Sequence, residues 1–418
     1  MRIVLLSDRI PPEQLGGAEK VVWTLAVGLA RAGHEVHLIA GTDQADRQES
    51  RDDVTIHYVH AQTPTILRGW LSMLNLPVVR RVRRLLVTLR PDVVNAHNVH
   101  NQLSFACLLV AQWLGIPTVF SAHDFMTFTY GKLTHGIDPQ HGAPAAAAYK
   151  LPLLYNLRLM QLRFNPFRTL FIRYVLQHTR VRTCVSEAHR QALEVNLNLP
   201  FEVVYNGVDP NDYSASPEVI DQLRARWGIG QRPVVMFSGR FGREKGSRQI
   251  LNAMQTVIKA LPDAQLVILT AVRKEQLSDY EDATLREVWN QHVITGGWLQ
   301  GEELSAAYQL ADVIAVPSVY VDPMVMVNLD AMASGKPVVG TCFGGTPQIV
   351  KDGETGLIVN PFDTAQFADA IIRLLRDPDL RQRMGAAGKQ RLNEQFTLEL
   401  QAQHMLDLYQ RAVTTALK

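Results

Sequence analysis

Two cations follow an apolar, strand-like run in a way that suits a bound phosphate. Arg240 follows this run closely and Lys245 lies five residues later, with Gly239 beside the first and Gly246 beside the second. A guanidinium can grip phosphate oxygens with two N–H groups, an ammonium adds a point charge, and glycine lets the backbone come close. The pattern predicts a loop that stabilises a diphosphate as it leaves, whereas a solvated turn after a strand is the simpler alternative.

Two carboxylates, Asp322 and Asp330, lie eight positions apart around the start of a predicted helix. We expect this helix to begin near Pro323, so that the free N–H groups of its first turn can hold an anion with help from the helix dipole. Asp330 would then lie about five residues into the helix, roughly 7 Å along its axis. The two acids could therefore hold hydroxyl groups at opposite ends of one long ligand, such as a sugar joined through a diphosphate to ribose. The N–H groups expected to face the anion belong to Val325, Met326 and Val327.

Two weaker signals lie nearer the amino end. Gly16 and Gly17 precede a helical run, where backbone N–H groups can hold phosphate or hydroxyl oxygens, and an ordinary strand-to-helix turn explains the pair equally well. His123 follows a predicted strand, at the carboxyl end where doubly wound sheets bind their ligands. Because the preceding strand is followed by histidines in the same way, spacing alone does not single out His123. Those two residues are His97 and His100.

Composition indicates a globular protein of more than one domain. The 418 residues are 47% hydrophobic and 20% charged with a net charge of +2, and we expect two or three domains and no nucleic-acid partner. No signal peptide precedes the first strand, and no apolar stretch has the length and continuity of a membrane span, so we expect a cytoplasmic protein. The cysteines are odd in number and lie in or beside apolar runs, which favours buried free thiols. They are Cys107, Cys184 and Cys342.

Strand-like and helical runs alternate along most of the chain. This alternation predicts a parallel sheet with helices on both faces, and it starts again at residue 234. The fold class is therefore α/β, with two Rossmann-like doubly wound domains. The usual glycine-rich fingerprints of dinucleotide-binding and P-loop proteins are absent from the sequence. Neither is there a clustered His, Cys and Asp ligand set, so we expect no metal.

The order of the motifs resembles one enzyme family. Gly239-Arg240 and Lys245-Gly246 are followed by Pro317-Ser318, the two acids, a glycine-glycine run over 344–350 and a final run over 352–357. This order is similar to that of the retaining glycosyltransferases of family 4, also called glycosyltransferase group 1, which have the GT-B fold. The resemblance covers nearly the whole chain, because the first half carries further markers of the family. These are the runs 11–19, 123–124, 185–187 and 206–209.

The resemblance implies an organisation and a reaction. Residues 1–204, with a carboxyl-terminal helix over about 396–418, would form an acceptor-binding domain, and residues 205–395 a domain that binds a nucleotide diphosphate sugar. The two would face a cleft, beneath a mobile glycine- and proline-rich loop over 123–150. The acceptor, a glycan, glycolipid or lipid-linked saccharide, would react on the leaving-group face, and the departing phosphate would take its proton. No cofactor is implied.

The site residues implied by the motifs fall into two groups. The catalytic group is Arg240, Lys245, Asp322 and His123, the last as a contact to the donor sugar. The group that binds the donor or its nucleotide is Gly16, Gly17, Gly239, Gly297, Val325, Met326, Val327 and Asp330.

Three departures from the family pattern leave alternatives open. The chain has Asp322 and Asp330 where the family usually has glutamates, and Gln348 where it has a further glutamate. Since a misplacement of about 1 Å can cost on the order of a hundredfold in rate, one alternative is a catalytically weakened nucleotide-sugar-binding protein. Another is a nucleotide-sugar epimerase on the same fold, which would need no acceptor.

Two segments are rich in basic residues and hold no acid. Residues 54–91 carry six arginines, and residues 139–186 carry seven basic residues. Within 68–90 and 150–182 these cations mix with large apolar residues at helical spacing, which is typical of a helix on an anionic bilayer. A solvated basic face over an ordinary core helix is the alternative. The membrane hypothesis relies on the apolar set Leu71, Leu74, Val78 and Val82 beside Arg80, Arg81, Arg83 and Arg84.

Overall fold

The computed structural model describes residues 1–13, 16–140, 142, 146–152, 154–161, 164–270 and 283–414. The chain divides into two compact units. Unit 1 takes residues 1–135, 145–207 and 398–418, and unit 2 takes residues 136–144 and 208–397. Parts of four predicted features lie outside the described residues: Gln14 and Leu15 of the first glycine run, residues 141 and 143–145 of the predicted mobile loop, residues 153, 162 and 163 of the second basic segment, and residues 415–418 of the last helix.

Unit 1 is built on an eight-stranded sheet with the order β3-β4-β2-β1-β5-β6-β7-β8. Its pairs are parallel apart from the antiparallel edge pair of β3 and β4. The central strands are apolar on both faces, as expected for a sheet covered on each side. The strands are β1 (Arg2–Ser7), β2 (Glu35–Thr42), β3 (Arg47–Arg51), β4 (Val54–His60), β5 (Val93–Ala96), β6 (Thr118–Ser121), β7 (Val181–Cys184) and β8 (Glu202–Val203).

Helices cover this sheet through regularly spaced apolar residues. In the first helix Val22, Leu25 and Leu29 are buried on one face, and Gly33 follows its end with φ +86. The last helix packs against the first, and its Tyr409 hydroxyl accepts a hydrogen bond from Asn95 Nδ2 at 2.8 Å. The helices of unit 1 are α1 (Gly17–Arg31), α2 (Arg68–Leu71), α3 (Leu76–Leu89), α4 (Phe105–Trp113), α5 (Tyr155–Met160), α6 (Arg168–Gln177) and α7 (Glu187–Leu197), with the last helix Leu398–Thr414.

Unit 2 is built on a six-stranded, all-parallel sheet with the order β11-β10-β9-β12-β13-β14. Hydrophobic clusters fill both of its faces. The strands are β9 (Val234–Ser238), β10 (Gln265–Leu269), β11 (Val293–Thr295), β12 (Val313–Val316), β13 (Val338–Thr341) and β14 (Gly356–Val359). The helices are α8 (Pro217–Trp227), α9 (Ser247–Ala260), α10 (Ala283–His292), α11 (Gly301–Leu310), α12 (Met326–Ala333), α13 (Thr346–Ile349), α14 (Thr364–Arg376) and α15 (Pro378–Gln395), and the last helix of the chain is α16.

The predicted α/β class with two doubly wound parallel sheets is confirmed. One boundary near the site was wrong. The helix expected to begin near Pro323 begins at Met326, because Val325 is still extended with φ −83 and ψ 105. In both units the loops that carry the candidate residues leave the carboxyl ends of neighbouring central strands, where parallel α/β sheets bind their ligands.

Candidate active site

Two loops of unit 2 are locked together at the carboxyl ends of β9 and β12, which are neighbours in the sheet. The backbone N–H of Val319 donates to the Glu244 carbonyl oxygen at 2.9 Å. Gly246 has φ +81, and a Cβ atom there would lie 1.9 Å from the Pro317 carbonyl oxygen. The glycine after Lys245 is therefore needed for close packing of the two loops, and this packing brings Lys245 to Asp322.

Asp322 is held by a cation and a phenol. Its Oδ2 accepts hydrogen bonds from Lys245 Nζ and from the Tyr320 hydroxyl, each at 2.5 Å. The Asp322 side chain is 8% exposed and that of Lys245 is 25% exposed. Burial, and then the charge of Asp322, hold the pKa of Tyr320 well above its ordinary value, so the phenol keeps its proton and donates. Tyr320 was missed in the sequence, where a tyrosine after a strand is indistinguishable from a packing residue.

The glycine-glycine run holds the backbone of the same acid. Gly344 has φ +67, and a Cβ atom there would lie 2.2 Å from the Asp322 carbonyl oxygen and 2.6 Å from its nitrogen. The N–H of Gly345 donates to that carbonyl oxygen at 2.9 Å. The run that resembled a family motif thus positions Asp322 through its main chain. Gln348 adds to the turn, because its N–H donates to the Gly345 carbonyl oxygen at 3.1 Å.

Asp330 lies in a second group of tyrosines. It is the fifth residue of α12 and is buried, and its carboxylate accepts hydrogen bonds from the Tyr213 hydroxyl and, at 3.2 Å, from the Tyr308 hydroxyl. Burial, followed by the Asp330 charge, raises the pKa of both phenols far above the ordinary tyrosine value. The Ser238 side chain, next to Gly239, also hydrogen-bonds Tyr308. The network therefore connects Asp330 to the end of β9.

Arg240 differs from Lys245 in having no acidic partner among the described residues. It is exposed, and it forms no hydrogen bond or ion pair within the described part of the chain. An uncommitted guanidinium beside a paired ammonium is a suitable arrangement for receiving an anion. The predicted glycines of this region, Gly239 and Gly297, have φ +118 and +75, and a Cβ atom at either would meet nothing within 4 Å.

The three residues whose N–H groups were predicted to hold an anion lie at the start of α12, although this helix begins later than expected. Val325 is the N-terminal cap of α12, Met326 its first residue and Val327 its second. The N–H of the next residue, Asn328, already donates to the Val325 carbonyl oxygen at 3.0 Å. The buried Asn328 side chain also donates to Thr346 Oγ1 at 3.2 Å, which ties α12 to the glycine-glycine run.

In unit 1 the candidate His123 pairs with a second histidine. His123 Nε2 and His97 Nδ1 are 2.8 Å apart, and the rings stack with their centroids 5.1 Å apart. Burial lowers the pKa of His123 to about 4 and that of His97 well below 6.5, so both rings are neutral near pH 7. One ring donates to the other. The remaining nitrogens, His97 Nε2 and His123 Nδ1, are buried and have no hydrogen-bond partner within the described residues.

A buried carboxylate that the sequence did not reveal shapes the same edge of unit 1. Asp8, directly after β1, accepts hydrogen bonds from four successive backbone N–H groups at 2.7–2.9 Å, those of residues 100–103. Burial raises the pKa of Asp8 in spite of these bonds. His100 lies 3.5 Å from the Asp124 carboxylate, measured between Nε2 and Oδ2. The four hydrogen bonds to Asp8 therefore fix the loop that follows β5, beside the histidine pair.

The glycine pair of unit 1 lies at a helix start. Gly16 is the extended cap of α1 and Gly17 its first residue, and Glu19 lies in the first turn. A Cβ atom at position 16 would lie 2.1 Å from Glu19 Oε2. Because Glu19 Oε2 lies at the end of a flexible side chain that can move aside, this contact constrains position 16 only weakly.

Comparison with known proteins identifies the family. The model of Glycosyltransferase Family 4 matches residues 15–212, and that of Glycosyl transferases group 1 matches residues 219–391. The alpha-maltose-1-phosphate synthase of Mycolicibacterium smegmatis is 33% identical over 98% of this chain and 99% of its own length. The chain belongs to glycosyltransferase family 4.

Other relatives of this family 4 chain match over part of their length. A GDP-mannose-dependent alpha-(1-6)-phosphatidylinositol monomannoside mannosyltransferase of the same organism is 31% identical over 52% of this chain and 56% of its own length. Two Bacillus subtilis relatives are covered over 55% and 58%. Among solved structures, Anabaena HepE in complex with UDP and glucose has a TM-score of 0.70 at 19% identity, covering 98% of this chain and 99% of that one. The predicted GT-B fold and the prediction of a hexosyltransferase-type glycosyltransferase are confirmed.

Two features are absent from the described residues of this glycosyltransferase. They contain no group of three or more His, Cys, Asp or Glu side chains placed to hold a metal ion. Nor do they contain a helix with the length and apolar character needed to span a bilayer. The roles given to the individual site residues remain predictions.

Proposed function

We propose that this protein is a retaining glycosyltransferase that moves a sugar from a nucleotide diphosphate sugar to an acceptor hydroxyl. The observation that carries the proposal is the pair of cations at the end of β9, one exposed and uncommitted, the other held 2.5 Å from Asp322 at the end of β12. The names of relatives support the donor class, because HepE was solved with UDP and glucose and a mannosyltransferase is GDP-mannose-dependent.

The charges suit a leaving diphosphate. Arg240 would bind the phosphate oxygens through two N–H groups. Lys245 would interact with the phosphate as well as with Asp322. The first N–H groups of α12 would add partial positive charge. Such prearranged donors are most effective where charge develops in the transition state. Asp330 would accept ribose hydroxyls beside Tyr213 and Tyr308, and the other donor-binding roles remain as the sequence predicted.

At the sugar end, Asp322 would accept sugar hydroxyls, and His123 keeps its predicted role as a donor-sugar contact. In the retaining step, the bond between the anomeric carbon and the phosphate oxygen breaks, and the acceptor oxygen bonds to that carbon on the same face. The acceptor proton passes to the departing phosphate. A double displacement through two carboxylates is not part of the proposal, because Asp322 and Asp330 are held by separate networks.

The acceptor, the metal requirement and the location are further parts of this proposal. We expect a glycan, glycolipid or lipid-linked saccharide as acceptor, catalysis without a metal, and action in the cytoplasm. The chemistry of charge neutralisation at the diphosphate is supplied by side chains and backbone N–H groups, which is the reason for expecting no metal.

A two-stage experiment tests the proposal. Melting temperatures are measured with UDP, GDP, ADP and their sugars, since a ligand at a hundred times its dissociation constant adds about 2.7 kcal/mol to stability. The stabilising donor is then incubated with acceptor saccharides and lipids, with and without a chelator, and the anomeric configuration of the product is determined by NMR. An α-linked product from an α-linked donor supports the proposal. Conversion of the donor without acceptor would indicate an epimerase, and binding without turnover a weakened binding protein.

A further inference from the structure

Large apolar side chains are exposed mainly in two segments of unit 1. Of fifteen large hydrophobic residues exposed in the described part of the chain, eleven lie within residues 66–76 and 154–174. We refer to the described residues of these two segments as the apolar strips. In unit 2 the described residues expose one, Trp298. The strip residues are Ile66, Leu67, Trp70, Leu74, Leu76, Leu154, Leu157, Leu159, Phe167, Leu170 and Tyr174.

This set differs from the one that the sequence predicted for membrane contact. Val78 and Val82 of α3 are 1% and 0% exposed, so they pack into unit 1 and cannot meet a bilayer. Arg81 is not available either, because its Nε lies 3.0 Å from Asp46 Oδ2. Helix α3 is therefore a core helix with an outward basic face, and the apolar contact must come from the strips beside it.

Buried hydrogen bonds join the two strips. Asn165 Nδ2 donates to the Gly69 carbonyl oxygen at 3.1 Å, and Arg168 Nε donates to Ser72 Oγ at 3.0 Å. Trp70 lies between the two residues bonded in the first strip, and Phe167 between the two in the second. The strips are consequently neighbours on one surface, and their aromatic residues stand next to the joints.

The joint itself contains a buried cation. Arg168 is 2% exposed and lies over the Tyr130 ring, 4.7 Å from its centroid, and it forms no ion pair with any described carboxylate. Its guanidinium instead donates to the carbonyl oxygens of Met126 and, at 3.4 Å, Thr129. Burial lowers its pKa to about 10. Burying the Arg168 charge costs free energy, which its hydrogen bonds to backbone and side-chain oxygens offset. These bonds hold the two strips together.

The charged side chains of the two sequence segments that contain the strips are of one sign. Arg80, Arg83 and Arg84 are exposed on α3 and make no ion pair with a described residue, and Arg158 is exposed within the second strip. The sequence has no Asp or Glu anywhere in 54–91 or 139–186. A protein partner would commonly require a mixture of charges, whereas a surface of tryptophan, phenylalanine and leucine on segments whose charged side chains are all cations complements an anionic lipid surface.

We propose that the two apolar strips dock unit 1 onto an anionic bilayer, with Trp70, Leu74, Phe167 and Leu170 entering the interface and the arginines lying among the headgroups. The docking is independent of turnover. If the proposed transfer reaction is also correct, the acceptor is a lipid or a lipid-linked saccharide, and docking brings the enzyme to it.

Co-sedimentation with vesicles tests the proposal on the full chain. We expect binding to vesicles that contain phosphatidylglycerol, little binding to phosphatidylcholine alone, and loss of binding as salt rises. The pair Trp70→Ser with Phe167→Ser should reduce binding at least about tenfold, since each removes a large apolar side chain from the interface. Arg80→Gln, Arg83→Gln and Arg84→Gln together should remove the preference for anionic lipid.

Controls separate this effect from misfolding and from the proposed reaction. Trp113→Ser, at a residue that is 75% exposed in unit 1 outside the strips, should bind vesicles as the unmodified protein does. Equal melting temperatures would show that the strip variants are folded. Stabilisation by a nucleotide is measured without vesicles, so it tests the proposed nucleotide site separately from docking. Equal recovery with neutral and anionic vesicles would overturn the proposal. So would absence of vesicle binding together with a dimer in analytical ultracentrifugation that the strip substitutions dissociate, because the occupant would then be a second copy.

Discussion

The two units place chemistry at the same edge of similar sheets but arrange it in opposite ways. In unit 2 the acids are engaged by donors: Asp322 by Lys245 and Tyr320, and Asp330 by two phenols. In unit 1 two neutral imidazoles share one hydrogen bond and keep one nitrogen each without a described partner. Balanced charges that can be redistributed suit a charged ligand, whereas neutral donors and acceptors suit hydroxyl groups.

The exposed surfaces of the two units also differ. Unit 1 carries the apolar strips and the acid-free basic segments, and the described residues of unit 2 expose one large apolar side chain. The proposed function assigns the nucleotide and its phosphates to unit 2 and the acceptor to unit 1. These assignments depend on particular residues, so single substitutions test them.

The largest expected effect is the loss of turnover in Arg240→Gln. Removing the uncommitted guanidinium should lower the rate of sugar transfer at least about a hundredfold, comparable to deleting an oxyanion donor, with little change in melting temperature. Arg243→Gln is the matched control, since Arg243 is exposed in the same loop. Lys245→Gln should lose a similar amount of turnover and also melt earlier, because it leaves Asp322 buried without its cation. Similar rates in Arg240→Gln and Arg243→Gln would remove this loop from the proposed site.

The two acids should separate in nucleotide binding. Asp330→Asn should weaken binding of the nucleoside diphosphate about tenfold or more, because a charged acceptor for ribose hydroxyls is lost. Asp322→Asn should bind it at least as tightly as the unmodified protein, since Lys245 would no longer be balanced by a carboxylate. Calorimetric titration measures both. Equal losses in the two variants would mean that the ends of the donor are assigned in the wrong order.

A glycine substitution tests whether the backbone of Asp322 is held by the glycine-glycine run. Gly344→Ala should cost stability, of order 1–3 kcal/mol for the strained backbone and more for the clash with Asp322, and should lower turnover. Gly353→Ala is the matched control, because Gly353 has φ +74 but nothing within 4 Å of a Cβ atom. Chemical denaturation and rate measurements should therefore show a larger loss at position 344. Equal stability losses with unchanged turnover would refute the role of this contact.

The smallest effect concerns acid stability through the histidine pair. The pKa of His123 is lowered to about 4 from an ordinary value of 6.5, so the folded state binds fewer protons than the unfolded state between these values. The stability that comes from burying the neutral His123 ring should accordingly be fully present above pH 6.5 and be lost as the pH falls toward 4. His123→Gln should make the melting temperature less dependent on pH in this window than in the unmodified protein. His404→Gln, at an exposed residue of α16, should keep the original dependence, and identical curves for all three proteins would contradict the burial of the neutral ring.

The sequence alone determined the α/β class, the two sheets and the family, because alternating apolar runs and ordered motifs are local properties of the chain. It also indicated Arg240, Lys245, Asp322 and Asp330, since charge beside glycine or at a helix start has a direct chemical meaning. It did not reveal Tyr320, Tyr213 or Tyr308, because a tyrosine has the same appearance in a sequence whether it packs in a core or donates to a carboxylate.

Tertiary structure alone decided the contacts between distant positions. Asp8 accepts hydrogen bonds from residues 100–103 because both follow neighbouring strands of one sheet. Gly344 contacts the backbone of Asp322 because the two residues lie in adjoining loops. The side on which α3 packs placed Val78 and Val82 in the core, while buried bonds from Asn165 and Arg168 joined two strips far apart in the chain. Hydropathy shows that a residue is apolar, but only packing decides whether that side chain is covered.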